Sequence, residues 1–216
     1  KFMNTLLVTG ANGWLGSAIF DVLNSYEKNL KNLNNIIIHS LVELSSEQRE
    51  NFNYLTIKNP KLNIYFINGD FKNNNFFEDL RSILSKLSSK NLFVITTVSV
   101  IHPRKWNDFI SVNVNGLKNF YDVCESFNLA KFTYISSNSP FGFNSKNEIF
   151  DETTEYSPIG GYGISKKMAE IFLLNKGVPD IITILRAPWF HGKNMPERQK
   201  LFLRKAAYAK FPLIGN

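Results

Sequence analysis

Thr9-Gly10-Ala11-Asn12-Gly13-Trp14-Leu15-Gly16 follows the apolar run Thr5-Leu6-Leu7-Val8 and opens an amphipathic stretch. A buried strand, a glycine turn and a helix, in that order, are what a dinucleotide site requires. Gly10 permits the tight turn, Gly13 lets the backbone approach a pyrophosphate, and Gly16 lets the helix pack closely on its strand. A helix starting at Trp14 would aim N–H groups and a partial positive charge at the phosphates. Three glycines alone are a weak signal; the strand before them and the helix after them give it weight.

The same alternation continues along the chain. Strands are predicted over residues 5–9, 35–41, 63–67, 92–98, 131–136 and 181–186. Several are continuous apolar runs, the pattern of parallel strands covered on both faces. Helical patterns lie between them: residues 14–23, a stripe of Phe76, Phe77, Leu80, Ile83, Leu84 and Leu87, a second of Phe109, Val112, Gly116, Phe120 and Cys124, and residues 162–174. Strands and helices in this order predict an α/β fold, a doubly wound parallel sheet with right-handed crossovers. Residues 42–60 are polar and irregular and are expected to form a surface connection with one short helix. The chain starts just before its first strand, and residues 211–216 have the character of a loop in mid-course.

Composition narrows the class. At 216 residues the chain supports one sizeable core and falls short of two comfortable domains. No run approaches the roughly 20 apolar residues that span a bilayer, and no signal-peptide pattern occurs, so no membrane partner is expected. The one cysteine, Cys124, excludes an internal disulfide, fits a reducing cytoplasm, and lies in a helical pattern where a buried packing thiol is expected. The net charge of +7 comes from dispersed lysines with no basic run interleaved with aromatics, so nucleic acid is not an expected partner. A modest positive potential favours an anionic substrate such as a nucleotide derivative. Three scattered histidines make no metal site.

Tyr162-Gly163-Ile164-Ser165-Lys166 places a phenol and an amine four residues apart, on one face of a helix. A nearby cation favours phenolate and lowers a tyrosine from its ordinary value of about 10. Such a group can exchange a proton with a substrate hydroxyl while hydride moves to or from a nicotinamide. Spacing alone does not establish this, because Tyr54 and Lys58 share it. Position decides: Tyr162 follows by 25 residues Ser137, which closes the strand Lys131-Phe132-Thr133-Tyr134-Ile135-Ser136. A hydroxyl there sits at the sheet edge where α/β proteins bind ligands.

Taken together, these motifs resemble the extended short-chain dehydrogenase/reductases, the NAD-dependent epimerase/dehydratase family. The residues that carry the resemblance are Thr9 to Gly16, Gly69-Asp70, Asn113-Val114-Asn115-Gly116, Ser136-Ser137-Asn138-Ser139-Pro140-Phe141-Gly142, Tyr162 to Lys166, and Arg186-Ala187-Pro188-Trp189-Phe190-His191-Gly192. It implies a Rossmann domain over residues 1–216, in which about residue 187 onward begins a substrate lobe that lies mostly outside this chain. It implies Tyr162 as acid/base, Lys166 as holder of the nicotinamide ribose, and Ser137 as the hydroxyl binding the reacting oxygen. The implied NAD or NADP contacts are Gly10, Asn12, Gly13, Trp14, Leu15, Gly16, His39, Asp70 (to adenine), Phe71, Thr96, Thr97 and Lys166. Substrate contacts are expected at Ser137, Asn138, Pro188 and Trp189. Asn113 is expected to support local backbone. A homodimer built through helices over residues 106–127 and 162–174 is also implied.

Three departures from the family pattern shape the expected chemistry. The second strand ends Ile38-His39-Ser40-Leu41 without the acid that binds a ribose 2′-hydroxyl, which leaves NAD and NADP both open, with His39 or Ser40 able to bond either. Water-eliminating members carry Asp-Glu after the strand-five hydroxyl; Asn138-Ser139 stands here, so dehydration is disfavoured and oxidation or epimerisation of a nucleotide sugar is expected. Trp189 replaces the asparagine that sugar-nucleotide epimerases place near the substrate diphosphate, which leaves room for a reductase of a smaller or steroid-like ketone. A non-catalytic NAD(P) sensor is the reading from another class, and the intact Ser137, Tyr162 and Lys166 count against it.

Overall fold

The computed structural model describes residues 3–25, 31–143, 149–188, 191–192 and 195–208. Six strands, β1 (Asn4–Thr9), β2 (Asn35–Ser40), β3 (Asn63–Asn68), β4 (Asn91–Thr96), β5 (Leu129–Ser137) and β6 (Ile182–Ala187), form one parallel sheet in the order β3-β2-β1-β4-β5-β6. This is the doubly wound Rossmann arrangement expected from the alternation. The strand order reverses between β1 and β4, which opens a crevice at the carboxyl ends of the strands.

Eight α-helices occur among the described residues, α1 (Trp14–Ser25), α2 (Ser46–Glu50), α3 (Tyr54–Lys58), α4 (Asn74–Leu87), α5 (Asn107–Ile110), α6 (Leu117–Glu125), α7 (Gly160–Leu174) and α8 (Glu197–Ala207), and both faces of the sheet are covered. A π-helical stretch, Ser111–Gly116, joins α5 to α6. On one face Leu7, Ile37, Val94, Phe132 and Tyr134 pack beneath Phe76, Leu80, Phe120 and Leu173. On the other, Leu6, Val8, Ile36 and Ile38 pack with Phe20, Leu44, Leu55 and Leu62. Alternate residues of β1 and β2 serve opposite cores, which is why the middle of each strand, Leu6–Val8 and Ile36–Ile38, is an unbroken apolar run.

Residues 42–60 depart from expectation. They hold two short helices, the first started by a Ser45–Gln48 capping box, and they bury Leu44 and Leu55. This segment closes the second core, but its apolar residues are too sparse to announce a period. Tyr54 and Lys58 serve the same closure: Tyr54 Oη donates to the Phe20 carbonyl at 2.9 Å, and Lys58 Nζ donates to that of Asn24.

At the carboxyl edge β4 stops at Thr96, two residues earlier than expected, where the chain is fastened to β1. Thr9 Oγ1 donates to Thr96 Oγ1 at 3.0 Å, and Thr97 Oγ1 donates to the Thr9 carbonyl at 2.7 Å. Among the described residues no helix is long and apolar enough to cross a membrane, and no cluster of three metal-ligating side chains occurs.

Candidate active site

The glycine turn between β1 and α1 has the close packing that its spacing implied. Gly10 has φ +71°, and a Cβ there would meet Thr97 Oγ1 at 2.5 Å. A Cβ on Gly16 would collide with the Gly10 carbonyl oxygen and lie 2.7 Å from Ala11 Cα, so α1 can sit this close to the turn only with glycine there. The turn is tied to β2 by a bond from the Ala11 N–H to the His39 carbonyl at 2.9 Å.

A cleft of about 520 Å³ opens beside this turn, at the point where the strand order reverses. Its size suits an organic cofactor. Gly10, Asn12, Gly13, Trp14, Leu15, His39, Asp70, Phe71, Thr97, Tyr162 and Lys166, all expected cofactor or catalytic residues, line it. Gly16 lies beneath the turn, and Thr96 is buried against Thr9, so neither forms part of the wall. Ser137, Asn138 and Pro188 lie outside the wall. Trp189 lies outside the described residues. Gly192 is described, and its Cβ position falls 3.5 Å from the Trp14 indole nitrogen.

His39 is committed elsewhere. The ring is buried, with Nδ1 accepting the Gly10 N–H at 3.3 Å and Nε2 donating to the Gly69 carbonyl at 2.9 Å. Ser40 donates its hydroxyl to the Val42 carbonyl at 2.7 Å. The two groups expected to meet a ribose are thus holding the turns of β1, β2 and β3 together. Asp70 remains half-buried at the cleft edge, with Lys72 Nζ 3.6 Å from its Oδ2 and 3.4 Å from Oδ1 of Asp108. The Phe71 ring stacks between Phe76 and Phe120, which leaves its main chain as the part that can face a ligand.

α7 carries the phenol and the amine. Gly161 in its first turn touches Trp106 and Phe109 so closely that a Cβ would collide with both rings. Lys166 Nζ is buried, donates to the Ile135 carbonyl at 2.8 Å, and lies 4.6 Å from the centre of the Tyr134 ring and 5.8 Å from that of Tyr162. Ser137 Oγ accepts the Ser139 N–H at 3.1 Å and lies 2.9 Å from Ser139 Oγ. Tyr162 and Lys166 thus line one cleft, and the Ser137 hydroxyl lies within hydrogen-bonding reach of the Tyr162 phenol.

Their protonation differs from expectation. Burial pushes the Tyr162 phenol above its ordinary value, and what pulls it down is the pair of hydroxyls of Ser99 and Ser137. Lys166 does not supply that pull, because burial takes its own amine down to about 7 against the opposing field of Glu170. Both groups share one poorly hydrated space, where each charged form is penalised.

Ser99 was not anticipated. It lines the cleft, and its Oγ is buried without a well-formed hydrogen bond. The sheet-edge rule that points to Ser137 applies equally to a serine three residues past the end of β4. Asn113 supports local backbone as expected: Oδ1 accepts the Val100 N–H at 2.8 Å, and Nδ2 donates to the Val100 carbonyl and to Ser165 Oγ, each at 2.9 Å. It thereby ties one cleft wall to α7.

Comparisons with known proteins show the family and the fold. The model of the NAD dependent epimerase/dehydratase family matches residues 6–207. The protein y4nL of Sinorhizobium fredii is 30% identical over 217 residues, covering 98% of this chain and 57% of its own length. A dTDP-glucose 4,6-dehydratase from Bacillus anthracis, crystallised with NAD, superposes with a TM-score of 0.68 at 22% identity, covering 96% of this chain and 62% of that one. The Bordetella bronchiseptica enzyme WbmG, crystallised with NAD and UDP, superposes with a TM-score of 0.66 at 18% identity, covering 94% and 59%. At such identities the solved structures establish the fold. The chain spans about half the length of the curated relatives it matches.

Proposed function

The chain belongs to the NAD dependent epimerase/dehydratase family, and we propose that it oxidises or epimerises a nucleotide sugar by hydride transfer. The observation that supports this is that Tyr162 and Lys166 line the same cleft as the glycine turn, with the Ser137 hydroxyl in reach of the Tyr162 phenol. NAD, when bound, supplies the hydride acceptor. The residues fit it: the turn has no room for a Cβ at Gly10 or Gly16, and α1 begins at Trp14 with its positive end towards the cleft. Gly10 to Leu15 would hold the pyrophosphate, Asp70 and the main chain of Phe71 the adenine, and Thr97 and Lys166 the riboses.

In this mechanism Ser137 donates to the reacting oxygen and orients it. Tyr162 takes the hydroxyl proton as that carbon is oxidised, and it returns the proton when the carbonyl is reduced. Reduction from the opposite face gives the epimer. Ser99 and Ser137 stabilise the phenolate while the proton is away, and Lys166 adds to this in its ammonium form. Asn138-Ser139 offers no acid–base pair for eliminating water, since Ser139 is bonded to Ser137 and neither residue titrates usefully. Trp189 in place of a diphosphate-binding asparagine favours a second reading, reduction of a smaller or more apolar ketone.

The same proposal includes a homodimer. Ile164, Met168, Ile171 and Leu174 form an exposed apolar stripe along α7, beside an exposed Trp106 at the start of α5, and a second copy of this surface would cover it. We place the protein in the cytoplasm and assign residues from about 187 onward to the substrate side.

The test is a panel of nucleotide sugars and ketones followed by nicotinamide absorbance, with Tyr162→Phe alongside. Expected is turnover of a nucleotide sugar, falling by about 10² to 10⁴-fold in the variant while NAD binding persists. Turnover of ketones alone selects the second reading. Undiminished turnover in Tyr162→Phe removes the tyrosine's role, and NAD binding with no turnover of any compound points to a sensor.

A further inference from the structure

An ion pair with a fully buried carboxylate and a partly exposed guanidinium stands where α7 meets the ends of β5 and β6. Glu170, on α7, is fully buried and lies one turn beyond Lys166. Its Oε1 accepts the hydroxyl of Ser136 on β5. Its Oε2 accepts the Tyr156 hydroxyl at 2.7 Å and Nε of Arg186, on β6, at 2.9 Å. Arg186 also donates through Nη2 to Tyr156 Oη at 3.1 Å, and its guanidinium lies 4.8 Å from the centre of the Phe141 ring. One carboxylate therefore gathers two strand ends, a helix and the loop before it.

We propose that Glu170 is a positioning residue: clamped by Ser136, Tyr156 and Arg186, it holds α7 in the register that brings Tyr162 and Lys166 to Ser137, and it sets a buried negative charge beside the Lys166 amine. This rests on the catalytic reading of those three residues given above.

Three observations support it. A buried ion pair is a poor source of net stability, because desolvation offsets most of the attraction. What it supplies is direction: three donors converge on two oxygens, an arrangement satisfied at one setting of α7 against the sheet, whereas apolar contacts tolerate sliding. Next, Ser136 and Ser137 are adjacent on β5 and point to opposite faces, so anchoring the first fixes the strand end that bears the second. Lastly, Lys166 has few polar neighbours. It meets the Ile135 carbonyl and the ring of Tyr134 from β5, and Tyr162 and Glu170 from its own helix, with Arg186 of β6 beyond Glu170. Glu170 is the one charged group among these that favours the ammonium form against burial.

The test needs no substrate. Side-chain carbon NMR of lysine-labelled protein follows the titration of Lys166, assigned by loss of its signal in Lys166→Met. Glu170→Gln keeps the shape and most of the hydrogen bonds but removes the charge. The Lys166 midpoint is expected to fall by at least about half a pH unit, since a carboxylate one helical turn away in a poorly hydrated site favours the ammonium form. If that variant does not fold, Glu170→Met combined with Arg186→Met removes both charges together, and a smaller fall is expected, because loss of the more distant Arg186 cation offsets part of the loss of the carboxylate. Register is read in the double variant by Overhauser contacts between the Tyr162 ring and the Ser137 methylene, which are expected to weaken. A Lys166 midpoint unmoved by loss of the charge, or undiminished Tyr162–Ser137 contacts, would overturn the proposal. Neither readout involves turnover, so the catalytic reading can fail in the substrate panel without deciding this one.

Discussion

The Nε2 of His39 donates to the carbonyl oxygen of Gly69 across 2.9 Å, which commits a buried imidazole at the cleft wall to holding two strand ends together. Burial is the largest influence on that ring and takes its pKa down to about 4, against smaller upward pulls from the Gly69 bond and Asp70.

Acid lability follows from that ring. In the unfolded chain a histidine takes up its proton near pH 6.5, whereas folded His39 takes it up near 4. Between those values the unfolded state binds more protons, so stability falls as pH drops from about 6.5 and levels off below about 4. Unfolding free energies from urea denaturation at pH 7.5 and 4.5 are expected to differ by on the order of 2 kcal/mol more in the parent than in His39→Gln. Equal pH dependence in the two proteins would show that His39 is not the responsible group.

Lys166 is expected to weaken the fold it serves. Its buried amine titrates near 7 instead of 10.5, so below pH 7 the full penalty of burying a charge is present. As pH rises from 7 towards 10.5 the unfolded state keeps a proton the folded state has released, and stability climbs. Lys166→Met removes the penalty. It is expected to be more stable than the parent by about 1–3 kcal/mol at pH 6, with the gain shrinking towards pH 10, while turnover is lost. A variant less stable than the parent at pH 6 would contradict this.

Two glycines separate packing from conformation. Gly16→Ala drives a methyl group into the Gly10 carbonyl and Ala11, and is expected to lose about 1–3 kcal/mol and to bind NAD poorly because the turn must shift. Gly177 has φ +67° with nothing within 4 Å of its Cβ position, so Gly177→Ala is expected to lose about 1 kcal/mol through backbone strain and to bind NAD normally. Thermal melts and NAD titrations of the two variants check both halves.

Much of this was legible in the residues. All six strands lie within two residues of their expected bounds, because a strand covered on both faces must be apolar along its length, and that is visible locally. Gly10 and Gly16 are where a tight turn and a close helix demand them. Tyr162 and Lys166 share a face because four residues make about one helical turn. What escaped notice depended on partners far along the chain. The role of His39 needs a carbonyl at Gly69, and that of Glu170 needs β6 to lie beside β5 so that Arg186 can reach it. Leu44 and Leu55 are too isolated in a polar stretch to signal that they close a core.

Periodicity, glycine placement and helical spacing thus settled the alternating architecture and named the phenol, the amine and the hydroxyl, since each is a local property of the chain. Folding alone decided which polar groups spend their bonds on structure and which stay free for chemistry. It also decided where Tyr162, Lys166 and His39 titrate, because hydration and neighbouring charge at a buried atom come from residues that are distant in sequence and adjacent only in space.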